Sequence, residues 1–496
     1  MLTTLEPSLT TDSKSVVVPA QAPRESGLNG RRIHFMGAGG IGVSALMELA
    51  RAGGAVVSGC DCGAGGQVAR LKELGIEIHK GHHASHINDC DELVYTPAVP
   101  DDHPELVRAR ELGKAVSVRM RMLGRLARGT RAVCITGSHG KTTTTWLTAH
   151  LLIQAGRDPN VLVGGVVPSL GSNVRLRRGR GKAMGGELVL EVDESDNRLH
   201  EIVPTIPLLT NVDNDHMEHY GSLENLQAAL TRFMASAMQS GDPLAALVAC
   251  GDDPRGRGAM LEAACRSELP AFDYGMGRWC RVRGENLRLQ GMSSRFDVRG
   301  PFGLWSGIEL PMPGVHNILN ALGALTVAWR LGLDETTIRA GLASAERVAR
   351  RFEIKGIVRG VRVIDDYGHH PTELAATLRA ARATTQGRVA MLFQPHRYSR
   401  TQSLLNQFAE CLAQGGADAV VLLPVYAASE AALPGADSES LAAKIKALGF
   451  SNVFVSPTRA DAVAQLADWA HEGDTLLVQG AGDVTNAADE LVTKLG

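Results

Sequence analysis

Ten residues constrain this chain more than any others: Thr136-Gly137-Ser138-His139-Gly140-Lys141-Thr142-Thr143-Thr144-Thr145. They follow the apolar run Ala132-Val133-Cys134-Ile135 and precede a helix-like stretch from Trp146 to Ala155. A strand, a glycine-rich turn, Lys-Thr and a helix are the parts of a phosphate-binding loop. The glycines let backbone N–H groups wrap an anion, and the helix N-terminus adds positive potential. Lys141 supplies a point charge, and the Thr142 hydroxyl is a candidate ligand for Mg²⁺. The spacing departs from a strict Walker A loop, whose first glycine would fall at Ile135. A chain with this loop is expected to handle a nucleoside triphosphate.

A single core does not accommodate 496 residues, and about three domains is the natural division. With 44% apolar and 21% charged residues the composition is that of a soluble globular protein. A net charge of −2 argues against an extended nucleic-acid or membrane-surface footprint. No apolar run approaches the ~20 residues of a membrane span. Residues 1–30 lack the charged start and apolar core of a signal peptide and read as a mobile tail. The eight cysteines show no framework spacing, as expected for free, buried thiols in the cytoplasm.

The rest of the chain alternates between β and α character. Ile33-His34-Phe35-Met36 reads as a strand, Val43 to Ala52 as a helix and Val56-Val57-Ser58-Gly59 as a second strand, opening a Rossmann-like domain over residues 31–129. A central, mostly parallel ATPase-type domain follows over 130–345. Its strands lie at Leu188-Val189-Leu190 and Pro207-Leu208-Leu209, its helices at Leu223 to Met238 and Asn317 to Leu331, and a β-rich region spans Phe272 to Leu310. The pattern then restarts with strands at Val361–Ile364, Val389–Leu392, Ala419–Leu422 and Thr475–Val478, a Rossmann-like domain over 346–496. The basic patch Arg175 to Lys182 is punctuated by glycine and reads as a solvated loop.

Chemistry-bearing residues cluster after the strands. Gly37-Ala38-Gly39-Gly40-Ile41-Gly42, with Asp61 near the end of the next strand, fits a diphosphate at a helix N-terminus without saying which nucleotide carries it. Taken alone it also fits a nicotinamide-dependent dehydrogenase. Glu191 to Asp196 and Asn211 to His216 place carboxylates and an imidazole where Mg²⁺ on ATP phosphates needs ligands. Asp365 to Pro371 and Phe393 to Arg400 bring arginines, histidines and tyrosines suited to a carboxylate or phosphate. His82, His83 and His86 have no carboxylate or thiol at ligand spacing and read as loop histidines.

Taken together these motifs resemble the Mur ligase family, ATP-dependent amide-forming enzymes of bacterial cell-wall synthesis. The resemblance runs from about residue 31 to 485 and includes Pro313-Gly314-Val315-His316-Asn317-Ile318-Leu319-Asn320 and Arg350-Arg351-Phe352-Glu353. It implies that the first domain holds UDP-N-acetylmuramate on Gly37, Ala38, Gly39, Gly40, Ile41, Gly42, Asp61 and His82. It implies ATP on Gly137, Ser138, His139, Gly140, Lys141, Thr142, Thr143, Asn317, Asn320, Arg351 (or Arg350) and Asp365, with magnesium on Thr142, Glu191 and His216. Tyr367, His369, His396, Arg397 and Arg400 would frame the amino acid. Lys141, His369, His396 and Arg397 would serve catalysis, with His369 or His396 as the base. The implied reaction joins L-alanine to the lactyl carboxylate through an acyl phosphate, in a cytoplasmic monomer or homodimer. Nearby alternatives are a murein-peptide ligase and folylpolyglutamate synthetase. Ser138 stands where the family usually has threonine, and Asn197-Arg198-Leu199 where it usually has Gly-Ser-Phe. No lysine lies between Gly186 and Gly221, which suits the alanine-adding branch rather than sisters that use a carbamylated lysine.

Overall fold

The protein is described from a computed structural model covering residues 27–63, 65–178, 186–195, 197–215 and 217–496. Most of the expected tail, residues 179–182 of the basic patch, Asp196 and the proposed magnesium ligand His216 lie outside the described residues.

Three sheets organise the chain. The first has five parallel strands in the spatial order Glu77–Lys80, Val56–Asp61, Arg32–Met36, Glu92–Tyr95, Ala115–Val118. The chain leaves its central strand Arg32–Met36 first to one side and then to the other, which opens a crevice beyond that strand's C-terminal end. Gly37–Gly42 sits there, leading into the helix Ile41–Ala52.

The second sheet has ten strands. Its centre runs Ile206–Leu209, Arg131–Thr136, Glu187–Glu191, Asn160–Val167, all parallel. The strand feeding the phosphate loop is therefore flanked by the two strands that feed the acidic clusters, so all three loops emerge at one edge. Ala271–Gly275, Val282–Gln290, Ser293–Gly300 and Gly303–Leu310 account for the β-rich region, the last two joining antiparallel. Arg175 belongs to the strand Ser172–Arg175, and its guanidinium pairs with Asp158 at 2.6 Å. The basic patch thus begins inside the sheet rather than in a loop, because that pair and a bond to the Pro159 carbonyl hold its first side chain.

The third sheet runs Glu353–Val358, Val361–Asp366, Thr475–Gln479, Val389–Phe393, Ala419–Leu422, Val453–Val455. Only the edge strand Glu353–Val358 is antiparallel. Strands covered on both faces need near-continuous apolar sequence, and Val389–Phe393 is buried throughout. Each fully buried Val, Leu or Phe of that kind contributes about 1.5–3 kcal/mol.

The helix after the phosphate loop spans Lys141–Gln154 and so starts five residues before Trp146, where the sequence suggests it. Its first turn is threonine, whose β-branched side chains disfavour isolated helices. Burial of Thr142 to Thr145 outweighs that preference. Among the described residues no helix is long and apolar enough to cross a membrane, and all eight cysteines are free.

Candidate active site

Gly137 and Gly140 adopt φ of +117° and +80°, in the left-handed region that favours glycine. A Cβ on Gly137 would lie 2.5 Å from Thr210 Oγ1, and one on Gly140 2.5 Å from Asn320 Oδ1. The loop is clamped from the neighbouring strand. Asn211 Oδ1 accepts from the His139 N–H at 2.9 Å, and Asn211 Nδ2 donates to the His139 carbonyl at 3.0 Å. The Asp213 N–H donates to Ser138 Oγ at 2.9 Å.

Lys141 folds back over its own loop. Nζ donates to the Gly137 carbonyl at 2.6 Å, the Ser138 carbonyl at 3.2 Å and Glu194 Oε1 at 3.0 Å. Burial disfavours this charge, but Glu194, Asp193 and Glu191 hold the ammonium above its ordinary range. Glu191 caps its strand's end, where one carboxylate oxygen accepts from the Gly164 N–H at 2.7 Å. Asn320 accepts from Thr144 at 3.2 Å and donates to Asn317 at 3.3 Å, so both asparagines back the loop's helix from behind.

The third sheet closes over this loop. Arg351 Nη2 donates to Thr142 Oγ1 at 3.1 Å, and Arg400 pairs with Asp215 at 2.9 Å. His139 bridges the two units, with Nε2 2.9 Å from Asp213 and Nδ1 3.2 Å from Glu373. Burial opposes charge on His139, yet these two carboxylates push its pKa up to about 9. Thr372 donates to Asp213 at 2.6 Å. Glu373 also accepts from the His369 and His370 N–H groups at 2.9 and 3.2 Å, forming a capping box with Pro371 at the first helical position.

Between the units lies a cleft of about 310 Å³ lined by Lys141, Thr142, Glu191, Arg351, His369 and Arg397 among others. Tyr367, His396 and Arg400 also face it. The Arg350 and Arg351 guanidiniums stand 4.9 and 5.1 Å from the Tyr367 ring centroid, and the His369 and His396 rings are 5.6 Å apart. Burial, reinforced by Arg400, pushes His369 down to about 3 and His396 down to about 4, so both are neutral near pH 7. Arg397 holds φ of +69°, and Arg350 and Phe352 hold +58° and +52°. Non-glycine residues in that region cluster where a site fixes the backbone against its preference. A second hollow of about 360 Å³, lined by Pro168, Pro311 and Val348, carries neither the phosphate loop nor a histidine.

Not every expected residue meets the cleft. Asp365 is fully buried away from it, accepting from Thr485 Oγ1 at 2.5 Å beside Arg350, and burial raises its carboxyl to about 6. In the first unit Asp61 accepts from the Gly39 and Gly63 N–H groups at 2.8 and 2.7 Å, while Arg119 reaches Asp193 at 3.3 Å to join this unit to the second. His82 Nδ1 is 3.1 Å from Cys60 Sγ and 3.3 Å from Glu105. No thiol or carboxylate stands at ligand spacing from these histidines in the sequence, yet the fold brings both to His82 from 22 and 23 residues away. Asn211 and Asp213 belong to the cluster expected to serve magnesium, but here they hold His139 together with Glu373, a task the sequence motifs did not single out.

Three family profiles match in order: "Mur ligase family, catalytic domain" over residues 32–131, "Mur ligase middle domain" over 135–328 and "Mur ligase, glutamate ligase domain" over 350–482. The UDP-N-acetylmuramate–L-alanine ligase of Agrobacterium fabrum is 39% identical over 469 residues, covering 93% of this chain and 96% of that protein. Its counterpart from Desulfatibacillum aliphaticivorans is 37% identical over 472 residues, covering 93% and 98%. The crystal structure of UDP-N-acetylmuramate–alanine ligase MurC from Thermotoga maritima superimposes with a TM-score of 0.74 at 28% identity, covering 94% of this chain and 99% of that one. A murein peptide ligase from Psychrobacter arcticus, at 21% identity and a TM-score of 0.67, shares the fold. With the phosphate loop, the acidic strand ends and the arginine–histidine clusters arranged around one cleft, and with this similarity along nearly its whole length, the chain belongs to the Mur ligase family.

Proposed function

We propose that the protein joins L-alanine to the lactyl carboxylate of UDP-N-acetylmuramate at the expense of ATP, in the synthesis of peptidoglycan precursors. The observation that carries the reading is the single cleft in which Lys141 and Thr142 of the phosphate loop face Arg351, His369 and Arg397 of the third unit. The similarity to alanine ligases at 37–39% identity supports the choice of amino acid. In this reading residues 31–129 hold the UDP-sugar, 130–345 ATP, and 346–496 the amino acid. The free thiols fit a cytoplasmic site of action for a monomer or homodimer.

The donor set suits Mg²⁺, a hard cation that prefers oxygen. Thr142 Oγ1 and the Glu191 carboxylate face the cleft beside a loop too tight for any Cβ, and they are the residues that would hold the ion. When bound it supplies charge neutralisation on the ATP phosphates. The chain's own residues do the rest by placement. Lys141 leaves its carbonyl partners for the phosphates, and Arg351 adds a second cation from the opposite wall. The lactyl carboxylate then attacks the γ-phosphorus and ADP departs, because a free carboxylate is a poor electrophile and needs a phosphate leaving group. The alanine amine attacks the resulting acyl carbon and phosphate leaves. Arg397 and Arg400 are suited to the alanine carboxylate. Neutral His369 and His396 offer lone pairs toward the amine, and their low basicity favours orientation over full proton removal.

The test is phosphate release from MgATP with UDP-N-acetylmuramate, with and without L-alanine and against an amino-acid panel, together with the product mass. Release requiring both co-substrates and a product heavier by one alanyl residue is expected. Release independent of alanine would overturn the acceptor assignment.

A further inference from the structure

A second convergence of ligand-type side chains lies in the first unit, outside the cleft. His34 is fully buried on the central strand Arg32–Met36. Its Nδ1 is 2.9 Å from Ser58 Oγ, and its Nε2 is buried with no hydrogen-bond partner. Cys60, on the adjacent strand, places Sγ 3.3 and 3.4 Å from the two oxygens of Glu105. Glu105 is itself fully buried in the first turn of the helix Pro104–Glu111, and His86 Nδ1 lies 2.7 Å from it. One ligand atom from each of His34, Cys60, His86 and Glu105 falls within 4.8 Å of all the others.

Hydrogen bonding alone leaves this cluster incomplete. A buried ring nitrogen without a partner costs about 1–3 kcal/mol, and the His34 side chain offers a ligand atom within 4.8 Å of those of three other groups each able to bind a metal. One thiolate, two imidazoles and one carboxylate form a mixed sulfur, nitrogen and oxygen set, which suits Zn²⁺ and is foreign to Mg²⁺ or Ca²⁺. Bonds of about 2.0–2.3 Å in a tetrahedron separate ligand atoms by roughly 3.3–3.8 Å; Cys60 Sγ and Glu105 already stand 3.3 Å apart, and a pair at the 4.8 Å limit of the set would close by about 1.0–1.5 Å on binding. The contact from His34 Nδ1 to Ser58 is the outer-shell bond that fixes the ring of a metal-binding histidine.

We propose that His34 Nε2, Cys60 Sγ, His86 and Glu105 form a closed tetrahedral site for a zinc-type divalent cation, separate from magnesium in the cleft. Binding exchanges the Cys60 S–H proton, released to solvent, for a metal–sulfur bond. With four protein ligands the role is structural, and His82, 3.1 Å from Cys60 Sγ and 3.3 Å from Glu105, stands beside the set as a neighbour of two of its ligands. The Cys60 carbonyl accepts from the Gly37 and Ala38 N–H groups at 2.9 and 3.1 Å, so the ion would brace the base of the first glycine loop.

Full-length protein, stripped with chelator and held in excess Mg²⁺ to occupy oxygen-ligand sites, is titrated with Co²⁺ and followed by absorption. The expected result is a near-ultraviolet thiolate-to-cobalt band with visible bands of four-coordinate strength. These should saturate at one equivalent and disappear when Zn²⁺ is added. Cys60→Ser should abolish the thiolate band, and His86→Asn should weaken Co²⁺ binding more than about 10-fold. The second variant, read in the same way, serves if the first does not fold. Absence of the band at millimolar Co²⁺, its persistence in Cys60→Ser, or unchanged affinity in His86→Asn would each overturn the proposal.

Discussion

Two glycine loops in this molecule follow an inner strand with parallel neighbours on both sides and open a helix, yet their surroundings differ. Gly37–Gly42 has no lysine, and the charged group seated on it is a carboxylate, Asp61 on the Gly39 N–H. Arg119 stands beside it, and its Nη1 would lie 2.8 Å from a Cβ on Gly42. Gly137–Gly140 carries Lys141 and Thr142 at its exit, acidic groups on both flanking strands and a facing wall of arginine and histidine from another unit. Glycine spacing therefore identifies a cradle for an anion, while the charges brought beside it decide whether the anion is only held or also reacts.

The largest effect that would sharpen this contrast is expected from Lys141→Ala. Turnover should fall about 10²–10³-fold, with circular dichroism unchanged and the KM for UDP-N-acetylmuramate nearly so. A folded variant releasing phosphate at the normal rate would end the distinction between the loops. Arg397→Ala comes next, raising the KM for alanine about 10–100-fold through loss of a charge-assisted contact. Steady-state kinetics showing equal shifts for alanine and ATP would remove Arg397 from its assigned place.

A smaller pair of changes compares the loops directly. Gly140→Ala forces a left-handed residue, which costs about 1–2 kcal/mol, and drives a methyl against Asn320. It should lower kcat/KM for ATP about 10-fold or more. Gly39→Ala meets only the movable Asp61 carboxylate at 2.9 Å; it should raise the KM for the UDP-sugar several-fold and spare ATP. Reversed assignments would exchange the roles of the two units.

The smallest expected effect is one of pH. His139, with a pKa raised to about 9, lends its ion pairs in full below its ordinary value near 6.5 and loses them as pH rises through 9. Asp213 and Glu373 are held below the usual carboxylate range and stay charged throughout that window, while burial keeps His370, packed on His139, neutral. Small-angle scattering of ligand-free protein should show a modest expansion between pH 6.5 and 9 that His139→Asn removes. An identical expansion in the variant would assign it to another group.

Much of this was legible because it is local. The phosphate loop, both acidic strand ends and the clusters at Asp365–Pro371 and Phe393–Arg400 are each contiguous, and in a parallel sheet every such segment emerges at one edge. The strands and their order of alternation followed from apolar runs such as Val389–Phe393. What escaped was non-local or overruled. Asn211 clamps His139 from 72 residues away, and Cys60 meets Glu105 across 45. No sequence periodicity encodes such meetings. The helix starting at Lys141 was hidden by threonines whose burial, not their propensity, decides the matter.

The folded-back posture of Lys141 has one more consequence, for how the site empties. Its ammonium is already satisfied by two loop carbonyls and Glu194, so an arriving anion displaces existing partners rather than filling an unmet need. A lone orthophosphate gains little from that exchange, whereas a triphosphate would also reach the helix N-terminus that follows the loop and the arginines on the opposite wall. After the γ-phosphoryl group has moved on, the lysine has its own carbonyls to return to. In the proposed reaction the loop would thus reset itself, and product inhibition by free phosphate is expected to be weak.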